Sequence, residues 1–202
     1  MQEVERLAPE TAQHLSLAQI ISTAMVRNSV PMGVGGGLAC LLHVGSMYRS
    51  HEDIDLYAKR EHIGRLTDVL QAQFKSGLTE TWAEGDSQGF ELNGQRLHVI
   101  GLYTLVTRQS SMIVAPFGGT YNYEPFPIAR TDSFQFETRP QLDTERMVQV
   151  MPLEAMLHMK SKDKRDKGQR DYAHIRRLYH SQAQKNPRQA AGLIERILIK
   201  YR

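Results

Sequence analysis

Two carboxylates two residues apart, set behind a run of glycines, restrict this chain more than any other feature. The stretch GVGGGLACLLHVGSMYRSHEDIDLY, Gly33 to Tyr57, carries a triple glycine, an apolar run and then Asp53-Ile54-Asp55. Side chains of an extended strand alternate with period two, so Asp53 and Asp55 point to one face. Side by side they repel unless a cation lies between them. Hard oxygen ligands of this kind suit magnesium, which keeps waters and shares substrate phosphates. Upstream, PMGV reads as a short buried strand running into Gly35-Gly36-Gly37, and LACLLHV as a helix. A glycine turn between strand and helix exposes backbone N–H groups at the helix N-terminus, a phosphate-binding arrangement. The competing reading is a solvated strand edge with no ligand.

The remaining chain supplies a mixed layout. Apolar spacing through Leu15, Leu17, Ile20, Ile21, Ala24 and Met25 predicts a helix over about Pro9 to Arg27, and Ile63, Leu66, Val69, Leu70 and Phe74 predict another. GFELNGQRLHVIGLY is the clearest hairpin, two apolar arms around Asn93-Gly94, the pair preferred in a tight primed turn. Between Ser110 and Pro140 glycines, prolines and aromatics predict an ordered loop or irregular strands. The C-terminal part is helical: one helix from near Pro152, one through RDYAHIRRLYH, and a last one capped by Asn186 with Pro187 at its first position. Trp82 reads as packing. The expected fold is α/β (α+β), a small mixed sheet with helices packed on it and a helical tail, divided into a core domain over 1–150 and a helical subdomain over 151–202.

Composition narrows the function classes. Hydrophobic residues at 41% and charged residues at 23% exclude wholesale disorder. No apolar run reaches the roughly 18 residues that span a bilayer, and the N-terminus lacks the pattern of a secretory signal. With Cys40 the single cysteine, no intrachain disulfide forms, and a reducing cytoplasm is the expected compartment. A net charge of +3 permits a polyanionic ligand such as a nucleotide without demanding nucleic acid. The basic segment Lys160 to Arg170 is otherwise read as a solvated helix face.

The pattern Gly36-Gly37, a helix, Gly45, then Arg49-x-His51-x-Asp53-Ile54-Asp55 resembles the signature of small nucleotidyltransferases of the DNA polymerase beta-like superfamily. It is similar above all to lincosamide and aminoglycoside nucleotidyltransferases, and the core is shared by nucleotidyltransferase-like toxins of toxin–antitoxin and abortive-infection systems. Their helical tails resemble the placing of Lys160 and Arg170-Asp171 here. The resemblance implies a phosphate-binding turn at Gly36-Gly37 and metal ligation by Asp53 and Asp55 with Mg2+ (or Mn2+). It further implies an NTP as substrate and transfer of its NMP to an acceptor. That acceptor would be a small-molecule antibiotic, or tRNA or protein for a toxin, with a cognate antitoxin as partner. Arg49, His51 and Lys160 are the implied phosphate contacts.

One position departs from this pattern. The third carboxylate such enzymes carry on a later strand is replaced by His98. An imidazole there suits a base near neutral pH but is a poorer magnesium ligand than a carboxylate. With Asn93-Gly94 as a two-residue turn, Glu91 faces Arg96 and shares a face with His98, so Glu91 is a second candidate for the missing carboxylate. The alternative is a plain Glu91–Arg96 surface ion pair. Two readings therefore stay open: an active nucleotidyltransferase completed by His98 or Glu91, or a catalytically inactive relative that binds nucleotide or a protein partner.

Overall fold

A computed structural model of the chain describes residues 9–46, 48–106, 111–117, 124–130, 134–141 and 146–185. The elements run α1 (Pro9–Arg27), β1 (Met32–Val34), α2 (Gly36–Val44), β2 (Asp53–Lys59), a 3₁₀ turn (Arg60–His62), α3 (Ile63–Phe74), β3 (Leu78–Glu84) and β4 (Ser87–Leu92). They continue with β5 (Gln95–Val106), β6 (Ser111–Phe117), β7 (Glu124–Arg130), β8 (Glu137–Pro140), β9 (Met147–Val150), α4 (Leu153–Lys162) and α5 (Asp166–Lys185). The result is a mixed sheet in the order β3-β4-β5-β2-β1-β9-β8, with β6 and β7 extending from the far half of β5. Strands β2 and β5 are parallel, as are β1 and β9; their other neighbours are antiparallel. This is the α/β architecture the sequence predicts.

Alternation decides which way β2 faces. Ile54 and Leu56 are wholly buried, as are Leu97 and Val99 beside them on β5, so one side of the sheet faces the core. Helices α1 and α3 touch one another, and both pack on β2. Burying such side chains contributes about 1.5–3 kcal/mol each. The opposite parity therefore turns Asp53, Asp55 and His98 to the other side, in a partly exposed position. The hydrophobic pattern pins this register, since a one-residue slip would exchange the two faces.

The hairpin forms as predicted. Glu91 pairs with Arg96 and Leu92 with Gln95, and Asn93 and Gly94 both take positive φ, 51° and 78°, as a primed turn requires. Helix α2 ends at Gly45, whose left-handed φ of 74° lets its N–H donate to Leu41 O at 2.9 Å. The region from Ser110 to Pro140 takes the second of its two expected forms: three strands, β6, β7 and β8, with a register irregularity between Ile113 and Val114. A strand, β3, also precedes the hairpin where none is expected. The last helix, with Asn186 and Pro187, lies outside the described residues. Among those described, no helix is long and apolar enough to cross a membrane.

Candidate functional site

The site begins with strand register. In the parallel β2–β5 pair Asp53 lies opposite Arg96, and Asp55 opposite His98. His98 Nδ1 is 3.2 Å from Asp55 Oδ1 and 3.9 Å from Asp53 Oδ2. One ligand atom from each of the three lies within 4.8 Å of the others. Burial, and then the neighbouring Asp55 charge, push Asp53 above its usual carboxylate value. His98 is raised by its hydrogen bond to Asp55, against burial, and further by the charges of both carboxylates. The two acids thus favour the protonated form of the imidazole. Two carboxylates converging in a half-buried, net-negative position, with an imidazole beside them, fit a divalent cation.

The glycine turn serves that group more directly than a bare phosphate cradle would. Gly35 N donates to Asp55 O at 2.7 Å, tying the turn to β2. Gly36 sits at φ +59°, and a Cβ there would collide with Asp55 Oδ2. The Asp55 carboxylate therefore rests on the first turn of α2, where N–H groups lack helical partners and the dipole favours a negative charge. A Cβ at Gly37 would strike Arg49 and crowd His51 Nδ1. Gly36 and Gly37 thus accept the packing of Asp55, Arg49 and His51.

Arg49 and Lys160 converge on one buried acid. Asp171 is fully buried on α5; it accepts from Arg49 Nε at 2.7 Å and Nη2 at 2.8 Å, from Lys160 Nζ at 2.7 Å and from Tyr48 OH at 3.0 Å. Burial alone would raise Asp171, but the hydrogen bonds and charges of Arg49 and Lys160 outweigh it and hold the carboxyl at about 2. These contacts join the segment before β2 to both helices of the tail. Arg49 and Lys160, expected as phosphate contacts, are spent largely on the protein's own carboxylate. Sequence reasoning saw Asp171 only as part of the tail resemblance and missed Tyr48, for which a single sequence carries no signal. His51 is buried; desolvation, then Arg49, lower its pKa to about 3, and its Nε2 has no partner among the described residues.

Cations still overlook the acidic group. At the α4–α5 connection, Arg165 Nη2 is 2.7 Å from Asp163 Oδ2, and Asp55 and Asp53 both act on its charge. Lys167 Nζ is 3.9 Å from Glu52, just ahead of β2, and its charge lowers Asp53. Arg96 lies 3.7 Å from Glu52. Glu91 is exposed on β4, opposite Arg96 in the ladder, and stands outside the three-residue group.

A family model described as aminoglycoside-2''-adenylyltransferase matches residues 17–150, a span holding β1, α2, β2 and β5 together with Asp53, Asp55 and His98. The chain belongs to the aminoglycoside-2''-adenylyltransferase family. Similar solved structures place this family member in the same fold. ANT(2'')-Ia in complex with adenylyl-2''-tobramycin superposes with a TM-score of 0.53 at 19% identity, covering 92% of this chain and 99% of that one. The lincosamide antibiotic adenylyltransferase LnuA, lincomycin-bound, gives 0.54 at 14% identity, covering 85% and 98%. No curated protein sequence matches the chain. Family membership carries the general activity, nucleotidyl transfer; Lys160 and Asp171 lie beyond the matched span.

Proposed function

We propose that this chain moves a nucleoside monophosphate from an NTP, ATP first among them, to a hydroxyl of a small amine-bearing antibiotic. The observation that carries this reading is the convergence of Asp53, Asp55 and His98 on one face, with Asp55 seated on the glycine turn. Asp53 and Asp55 would hold Mg2+ or Mn2+, which when bound neutralises the triphosphate and stabilises the departing pyrophosphate. Arg165 and Lys167 supply positive charge where the triphosphate would lie; Arg49, Lys160 and Asp171 fix the tail that carries them. Helices α4 and α5 then close one side of a cleft built on the core domain.

His98 takes the place of the third carboxylate. Its Nδ1–H donates to Asp55, which orients the ring and leaves Nε2 as an acceptor, the same division of labour as in a Ser-His-Asp triad. The acceptor oxygen bonds to the α-phosphorus, the bond from that phosphorus to the bridging oxygen breaks, and the hydroxyl proton passes to Nε2. Glu91, on the neighbouring strand, has no part in holding the cation in this account. A toxin acting on tRNA or protein with a cognate antitoxin gains no support from the relatives, both of which carry antibiotic-modifying names.

The test is calorimetry of a non-hydrolysable ATP analogue with magnesium, followed by transfer from labelled ATP to tobramycin and to lincomycin. Metal-dependent binding that vanishes in Asp53→Ala/Asp55→Ala, with label appearing on an acceptor, is the expected result. No nucleotide binding by the wild type would sink the reading.

A further inference from the structure

The β3–β4 ladder contains a one-residue irregularity beside the site. Leu78 pairs with Leu92, Thr79 with Glu91 and Glu80 with Phe90; the next pair is Trp82 with Gly89, so Thr81 is left over. Without that extra residue Thr81 would stand opposite Gly89. Trp82 would then turn to the face of Phe90 and Leu92, which are buried. With it, Trp82 stands on the face that carries Glu91, His98 and Asp55. Bulges next to active sites commonly re-aim a side chain in this way.

Two further observations show that the re-aimed indole has a seat. A Cβ at Gly89 would collide with Trp82 Nε1, so the absence of a side chain there admits the indole. Its ring centroid is 5.9 Å from that of His98, with the planes inclined at 55°. The side chain nonetheless remains 39% exposed, a large apolar surface facing the solvent beside the reacting group. An indole serving only as packing would have been better placed on the core face.

We propose that Trp82 forms the acceptor-side wall of the cleft, its indole face stacking against an amine-bearing saturated ring of the acceptor. This rests on the nucleotidyl-transfer reading above and adds the residue that selects the acceptor. Charge favours this occupant over the nucleobase. The cations come from the start of α5 and the connection before it: Lys167 reaches Glu52, ahead of β2, and the charge of Arg165 feels Asp55 and Asp53. Trp82, on β3, lies two strands from His98's own strand β5, on the side away from β2, where exposed Glu91 shares its face. A triphosphate therefore belongs on the first side. A protonated aminosugar, attracted both to carboxylates and to the indole π face, belongs on the second. The acceptor hydroxyl then sits between Trp82 and Asp55, within reach of His98.

Trp82 is the sole tryptophan of the chain, so its emission reports this position alone. Tobramycin and lincomycin are titrated separately against the full-length protein, and a non-hydrolysable ATP analogue with magnesium in a third series. Tobramycin, lincomycin or both are expected to quench or shift the emission, while the nucleotide leaves it nearly unchanged. Trp82→Ala should raise the acceptor KM about tenfold with kcat within about threefold, and Trp82→Phe should restore most of the loss, since stacking survives in a smaller ring. Melting curves of both variants should match the wild type. A response to the nucleotide instead of the acceptors would assign the wall to the base and overturn the proposal. So would silence toward both acceptors. Calorimetric nucleotide binding separates the cases: binding with a silent tryptophan overturns the role of Trp82 alone, whereas loss of both removes the transfer reading as well.

Discussion

His98 Nδ1 and Asp55 Oδ1 stand 3.2 Å apart because a parallel ladder sets an imidazole on β5 beside the second carboxylate of β2. The pairing sets His98 beside the two acids proposed to bind metal, and their charges favour its protonated form. Its removal in His98→Ala should lower kcat by about 10²–10⁴-fold, the usual range for a positioned acid–base group, with the nucleotide KM little changed. His98→Asp should recover part of the rate and strengthen Mg2+ binding relative to Mn2+, because a carboxylate is the harder donor. Steady-state kinetics with metal titrations check both outcomes.

The same proton makes cation binding pH-dependent. His98 is raised above 6.5 by its hydrogen bond to Asp55 and by both carboxylate charges, and Asp53 is raised by burial and then by Asp55. Both shifts favour proton binding at groups where a divalent cation would compete with protons. Metal affinity should therefore increase as pH rises through the His98 value, and binding at neutral pH should release up to about one proton. Titration calorimetry in buffers of different ionisation enthalpy measures that number. Binding without proton release would show that the imidazole is already neutral.

Asp171 should govern acid stability. Its folded pKa of about 2 lies below the ordinary aspartate value of 3.8. The stabilisation it contributes is therefore fully present above about pH 4 and is lost as pH falls toward about 2. Asp171→Asn leaves Arg49 and Lys160 buried without their counter-charge and should cost about 3–5 kcal/mol. Denaturant unfolding at neutral pH gives that loss directly. Repeating it toward pH 3 should show the wild type approaching the variant.

Gly36→Ala should harm activity more than stability. At φ +59° an alanine is strained by about 1–2 kcal/mol, and its methyl would occupy the place of the Asp55 carboxylate. The carboxylate can swing aside, so the fold should survive with a modest drop in melting temperature. Metal-dependent nucleotide binding should fall by an order of magnitude or more. Gly94→Ala, in open space at the hairpin, serves as a control for strain alone.

Much of this was legible in the chain. Period-two alternation gave the shared face of Asp53 and Asp55, and Asn93-Gly94 gave a register that correctly set Glu91 opposite Arg96. The structure then separates the two candidates for the third ligand: His98 lies in the three-residue group and Glu91 outside it. Strand β3 was hidden because it runs at the sheet margin with exposed Thr and Glu residues, and the extra Thr81 breaks the alternation that would have betrayed it. Strands β6 and β7 contain Pro116, Pro125 and Pro127, which speak against a central strand but are tolerated at edges and bulges. For Arg49 and Lys160 the difficulty is of another kind. A cation in a sequence announces that it wants an anion, not which one, and here the distant Asp171 on α5 meets that need.

The hairpin of β3 and β4 follows α3 and leads into β5, yet it sits at the free margin, paired in the sheet through β5 alone among the described strands. Asp53 and Asp55, by contrast, lie on a strand flanked by two others and anchored to the glycine turn. The chain thus sets its paired carboxylates on an inner strand and the proposed acceptor wall on an outer one. Residues of β3 face solvent along nearly their whole length, so they can be exchanged without reopening the core. On the proposed reading, a change of customer would need rewriting only in that outer ribbon, leaving the paired carboxylates as they are.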